Sequence, residues 1–147
     1  MEIRTEVLIK ATPQKIWKLF SHFEDYPNWN PFITSLIGEV LAGNRIEVKI
    51  EPPESRGMTF KPKVLSRIEN QELSWLGRLF IPGLFDGKHI FELRDQGNST
   101  TLFIQREQFS GLLVPLLKKQ LENNTRRGFE AMNNALKTLA EHYTSKE

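Results

Sequence analysis

The sequence has no cysteine, which excludes disulfides, thiolate nucleophiles and cysteine-ligated metal sites. Histidine is scarce as well: His22, His89 and His142 are too scattered to match any metal-ligand spacing. No apolar run approaches the ~20 residues that a membrane span needs, and charge begins at Glu2, so neither an integral membrane segment nor a secretory leader is expected. An excess of one charge is also missing. Twenty Lys and Arg stand against eighteen Asp and Glu, a formal +2, which is too weak a field to draw in a polyanion, so nucleic acid is not an expected partner. There is no Ser-His-Asp order, phosphate-cradling glycine loop, metal motif or dinucleotide fingerprint. No cofactor and no metal are expected, and the cytoplasm is the expected location. With 147 residues and a hydrophobic fraction of 39%, the chain can bury a real core, and one domain over 1–147 is expected.

What is present divides into strands and two kinds of helix. EIRTEVLIK (2–10) alternates Ile3, Thr5, Val7 and Ile9 against Arg4, Glu6 and Lys10, the period of a half-buried strand. In ATPQKIWKLF, Thr12 can cap a helix that starts at Pro13 and aligns Ile16, Trp17 and Phe20 on one face. RIEVKIE (45–51) alternates again, and an Ala-Gly-Asn turn at 42–44 would join it to a strand near Leu36–Leu41. MTFKPKVLSRIE, ELSWLGRLF, GKHIFELR and TTLFIQREQF give further strands, with Pro62 demanding an edge or a bulge. The spacing predicts a seven-stranded antiparallel sheet in an α+β fold. From about Leu113 to Tyr143 the period becomes helical, with Leu117, Leu121, Phe129, Met132, Leu136 and Leu139 in one stripe. Lys118, Lys119, Arg126 and Arg127 fall mostly outside it and read as a solvated face.

One helix about 10 Å across cannot fill the concave face of a wide curved sheet, so a cavity is expected between them. Gly77 and Gly87 occupy inward positions on neighbouring strands, where glycine either removes volume or marks a bend.

The order ATPQKIWKLFSHFEDYPNWNPF, FDGKHIFEL, REQFSGLL and NTRRGFEAMNNAL resembles the START-like SRPBCC superfamily, and within it the bacterial polyketide cyclase/dehydrase-like proteins. The likeness runs along essentially the whole chain. It implies a helix-grip fold, in which the sheet wraps a long C-terminal helix, two short helices follow strand one, and an apolar cavity lies between sheet and helix. FEDYPNWNPF would then form the second short helix, with Pro27 and Pro31 fixing the backbone. Trp29 and Phe32 would turn under the long helix, either as a brace or as part of the cavity wall.

The implied cavity would be lined by Trp75, Phe91, Phe103, Phe109, Phe129 and Met132, with Phe60, Leu121 and Thr125 completing it. Its polar candidates are His89, Gln105 and Glu107. The resemblance turns Gln105, Glu107 and Phe109 inward, whereas periodicity alone allows Leu102 and Ile104 instead, because the Gln96-Gly97-Asn98 turn permits more than one register. If Glu107 faces in, it meets His89, either as a satisfied pair or as an acid/base centre. The loops 51–57, 80–87 and 109–115 should share one end of the sheet. There Phe80, Ile81, Leu84, Phe85, Leu112 and Leu113 would close over one another, gate the cavity, or dock transiently on a membrane or protein. The expected function is binding or carriage of a small hydrophobic, lipid-like or polycyclic ligand. The alternatives are a cyclase/dehydratase acting on a polyketide-like substrate, with His89 and Glu107 as its catalytic candidates, and a partner-binding module.

Overall fold

The N-terminal alternation folds as it reads: strand β1 (Glu2–Ile9) buries Ile3, Thr5 and Ile9 and turns Glu2, Arg4, Glu6 and Leu8 outward. The computed structural model describes residues 1–79 and 81–144. Helix α1 (Pro13–Phe20) begins at the expected cap, where the Thr12 hydroxyl accepts the Lys15 N–H at 3.3 Å. It buries Ile16, Trp17 and Phe20. A single 3₁₀ turn at Phe23–Asp25 leads into the short helix α2 (Tyr26–Trp29). Asn30 then redirects the chain: its Oδ1 accepts the N–H groups of Phe32 and Ile33 at 3.0 and 2.9 Å, and strand β2 (Ile33–Ile37) starts there.

Two expected boundaries move. The strand anticipated near Leu36–Leu41 lies upstream, because Gly38, at φ +122°, ends β2 before Leu41. Strand β3 (Glu47–Ile50) pairs with β2, placing Ile33 opposite Ile50 and Leu36 opposite Val48. The 42–44 segment does not close that hairpin; Gly43 N–H donates to the Val64 carbonyl and Asn44 accepts from Val64. The single strand anticipated over MTFKPKVLSRIE splits at Lys61-Pro62 into β4 (Met58–Phe60) and β5 (Lys63–Ile68). Pro62 has no N–H for a ladder, and its carbonyl instead accepts Ile46 N–H at 3.0 Å. With β6 (Glu72–Leu79), β7 (Phe85–Gly97) and β8 (Thr100–Ser110), eight strands are described rather than seven. They form antiparallel ladders ordered β1-β8-β7-β6-β5 and β2-β3-β4. An Arg45–Lys63 bridge links the two.

The C-terminal helix runs through α3 (Val114–Gln120), a π-helical turn at Leu121–Thr125, and α4 (Arg126–Thr144). Phe129, Met132, Leu136 and Ala140 of α4 are fully buried, and the helix packs on β1, β8 and α1. This is the helix-grip, α+β arrangement.

FEDYPNWNPF braces the helix. Phe23, Tyr26 and Trp29 meet edge-on at 5.5 and 5.2 Å, and Tyr26 Oη donates to the Phe20 carbonyl at 2.6 Å. Phe32 lies edge-on to Phe129 at 5.5 Å and fits only because position 128 is glycine, where a Cβ would come within 2.5 Å of its ring. Helix α1 also supplies volume that the long helix lacks. Its Phe20 reaches across to Phe91 and Phe103 at 5.0 and 5.8 Å, and Trp75 meets Phe91 at 5.3 Å, closing that end of the trough.

Candidate functional site

At the opposite end of the trough, where α1 does not reach, a cavity of about 170 Å³ remains between the sheet and the helix. Two facing glycines line it. Gly77 of β6 and Gly87 of β7 stand directly opposite each other in an unshifted ladder, and neither has a positive φ. They are therefore not bends; together they delete two inward side chains at one place. A Cβ on Gly77 would lie 3.1 Å from the Phe60 ring, and one on Gly87 would run into the Glu107 carboxyl.

The wall is apolar for most of its circuit: Phe32, Ile50, Met58, Phe60, Phe85 and Phe109 border it. Leu121 and Thr125 of the π-helical turn form its roof. The titratable side chains on the border are Arg56, His89 and Glu107. Arg56 belongs to the exposed 51–57 loop, so it stands at the rim.

His89 and Glu107 are direct cross-strand partners in the β7–β8 ladder, which settles the inward set on β8 as Phe103, Gln105, Glu107 and Phe109. His89 Nδ1 lies 3.5 Å from Glu107 Oε1. On the other side of the ring, His89 Nε2 and Gln105 Oε1 are 2.9 Å apart. Gln105 Nε2 donates to Asn133 Oδ1 at 2.8 Å and to the Phe129 carbonyl at 3.4 Å. Asn133 Nδ2 donates to Thr5 Oγ1 at 2.8 Å, and Thr5 Oγ1 donates to the Gln105 carbonyl at 2.9 Å. The imidazole is stacked on Phe91 at 4.3 Å and tilted against Phe129 at 4.9 Å.

Burial favours the uncharged form of both titratable groups on the floor. Burial pulls His89 down to about 3, with the Gln105 contact opposing that fall, and burial pushes Glu107 up to about 8. Both shifts therefore favour an uncharged acid and base over a salt bridge. Such a floor can donate one hydrogen bond from Glu107 and offers a proton acceptor beside it.

The expected site residues separate into three groups. Phe32, Phe60, His89, Glu107, Phe109, Leu121 and Thr125 border the cavity. Trp75, Phe91, Phe103, Gln105, Phe129 and Met132 do not; they are almost fully buried behind its floor, because α1 packs that end solid. Trp29 lies on the far side of α4, beside Ala135, Thr138 and Leu139. At the mouth, Phe85 is buried and borders the cavity, Leu84 and Leu113 are half-buried, and Ile81 and Leu112 are exposed. Phe80 lies outside the described residues. The two apolar loops are tied together, Leu112 N–H to Gly83 O at 3.1 Å and Leu113 N–H to Leu84 O at 3.0 Å.

Residues that sequence reasoning missed include Ile50, Met58 and Arg56 of the β3–β4 wall, and Asn133. The position of Asn133, four residues after Phe129 on the buried stripe, was the available signal for it.

A family model described as polyketide cyclase/dehydrase and lipid transport matches residues 1–141. No curated protein matches the sequence. Among solved structures, a Streptomyces aromatase/cyclase is similar over 98% of this chain and 95% of its own, with a TM-score of 0.78 and 12% identity. Norcoclaurine synthase from Thalictrum flavum gives a TM-score of 0.75 at 14% identity, over 98% and 96% of the two chains. A START superfamily protein from Mycobacterium smegmatis gives 0.68 at 21% identity, over 94% and 98%. At these identities the likeness is one of fold.

Proposed function

Because the chain belongs to the polyketide cyclase/dehydrase and lipid-transport family, we propose that it binds a small hydrophobic molecule in the cavity between sheet and helix. The observation that carries this reading is the glycine-lined cavity of about 170 Å³, apolar along its wall and polar at its floor. A dry cavity of about 150 Å³ accepts benzene, so the enclosed part of the ligand is about one ring in size, and any longer portion leaves through the mouth past Phe85. The exposed Ile81 and Leu112 are the surface we assign to transient contact with a membrane or protein that delivers the ligand. No described helix is long and apolar enough to cross a membrane, and we place the work of this cysteine-free chain in the cytoplasm.

Native mass spectrometry of gently purified protein tests the reading, together with thermal melts against a panel of lipids, quinones and single-ring compounds. A copurifying molecule, or a melting point that rises with ligand concentration, is expected. Absence of both overturns it.

A second reading has its own observation. A neutral carboxylic acid beside a neutral imidazole is the pairing that proton donation to a carbonyl and proton uptake from carbon require, which supports a cyclase or dehydratase acting on a polyketide-like substrate. Glu107→Gln would then keep ligand affinity and lose turnover; equal turnover by the variant ends that reading.

A further inference from the structure

We propose that the cavity floor is a hydrogen-bond donor site, which takes an uncharged ligand through a carbonyl or similar acceptor and rejects a carboxylate. The inference rests on the ligand-binding reading above and names the chemistry of the ligand.

The polarity of the floor is set by an atom whose role cannot change, the backbone carbonyl of Gln105. Thr5 spends its only hydrogen on that carbonyl, so the Thr5 oxygen can only accept from Asn133, which must present its NH₂. Asn133 then turns its oxygen to Gln105, which must present its own NH₂. The Phe129 carbonyl on the same nitrogen demands the same orientation. The Gln105 oxygen is left facing His89 Nε2, so the ring hydrogen is on Nε2 and a bare lone pair on Nδ1 points at Glu107.

A neutral His89 in this tautomer can only accept from Glu107. An ionised pair would need a short contact and further donors to offset the lost hydration. The 3.5 Å gap is longer than a well-formed hydrogen bond, and among the described residues His89 is the one polar side chain in reach of the carboxyl. Glu107 is therefore a carboxylic acid whose O–H is only loosely engaged. Its side chain is 18% exposed, and Glu107 borders the cavity. A ligand carbonyl can take that hydrogen; a carboxylate could take it too, but it would be buried as an anion with no fixed cation at the floor to offset its lost hydration. Arg56, the one permanent cation on the border, stands at the rim.

Acetophenone, ethylbenzene and benzoate are close in shape and differ in what they present: a neutral acceptor, no acceptor, and an anion. Titrated at pH 6.5 into the wild-type protein and followed by amide NMR shifts, acetophenone is expected to bind about 2- to 10-fold tighter than ethylbenzene, with benzoate weakest. Glu107→Leu is expected to erase the advantage of acetophenone, whereas Glu107→Gln, which keeps an N–H donor, retains it. Equal binding of acetophenone and ethylbenzene to the wild type, or tighter binding of benzoate, overturns this inference and leaves the ligand-binding reading standing. Failure of all three probes to bind, up to their solubility limits, overturns both.

Discussion

At one end of the trough Phe20, Trp75, Phe91 and Phe103 meet at ring spacings of 5.0 to 6.3 Å, while at the other end Gly77 faces Gly87 and a cavity stays open. The same two strands, β6 and β7, build both ends: Trp75 and Phe91 belong to the closed end, Gly77 and Gly87 to the open one. Moving two residues along β6, from Trp75 to Gly77, and four along β7, from Phe91 past His89 to Gly87, exchanges solid aromatic packing for empty space. What differs is the company each end keeps. The closed end receives Phe20 from α1, and the open end is bordered instead by the π-helical turn, the β3–β4 segment and Phe32. Packing and vacancy are thus decided by a short helix on one side and by two missing side chains on the other.

Breaking the closed end should cost most. Phe91→Ala is expected to destabilise the protein by about 3 to 5 kcal/mol in urea denaturation, and Phe60→Ala by clearly less, because the Phe60 ring already borders open space. Equal losses at the two positions would erase the distinction between the ends.

Filling the open end should cost less and act on binding. Gly87→Ala drives a Cβ into the Glu107 carboxyl, an overpacking expected to cost about 1 to 3 kcal/mol and to abolish any ligand-induced rise in melting temperature. A variant that melts normally and still responds to ligand would show that this glycine does not make the room.

The floor between the two ends should be visible in the pH dependence of stability. His89, at about 3 against an ordinary 6.5, contributes stability above pH 6.5 that drains as the pH falls towards 3. Glu107, at about 8 against an ordinary 4.5, has the opposite sense: its contribution is complete below pH 4.5 and drains as the pH rises towards 8. The two offset each other between 4.5 and 6.5, which leaves a plateau. From 6.5 to 8 only Glu107 acts, with a loss of at most about 2 kcal/mol. Melting curves of Glu107→Gln should lose the upper limb and keep the lower. An unchanged upper limb would mean that Glu107 is ionised throughout.

The smallest effect belongs to the rim. Arg127 and Glu54 form an exposed ion pair at 3.0 Å between α4 and the 51–57 loop, and Arg127→Ala is expected to change stability by less than about 1 kcal/mol. A larger loss in the same urea assay would show that the loop is part of the core of the open end.

The strands and the long helix were legible because their apolar periods are strong, whereas Pro62, expected as an edge or a bulge within one strand, instead separates β4 from β5. The facing of β8 was not legible. A one-residue slip at Gln96-Gly97-Asn98 would exchange Gln105 and Glu107 for Ile104 and Arg106, and only the cross-strand pairing of His89 with Glu107 decides it. The cavity was foreseen as a mismatch of widths, yet its place depends on how far Phe20 of α1 reaches into the trough, a tertiary distance that no local pattern encodes. For that reason Trp75, Phe91 and Phe103 read as walls and stand as core. Asn133 was hidden by its neighbours, since a polar residue in a Phe129–Leu136 stripe looks like an interruption until Thr5 and Gln105 come to meet it.

Leu117, Leu121, Thr125, Phe129 and Asn133 follow one another at four-residue steps, and in an α-helix each such step overshoots a full circle by about 40°. The wide turn at Leu121–Thr125 absorbs that overshoot. It therefore works as a spacer in the rod: the stretch above the cavity and the stretch gripping the sheet are indexed separately. A change of length at Asn123 or Asn124 would re-aim Leu117 and Leu121 without unseating Phe129 or Met132, so the chain can alter what it encloses while keeping the same grip.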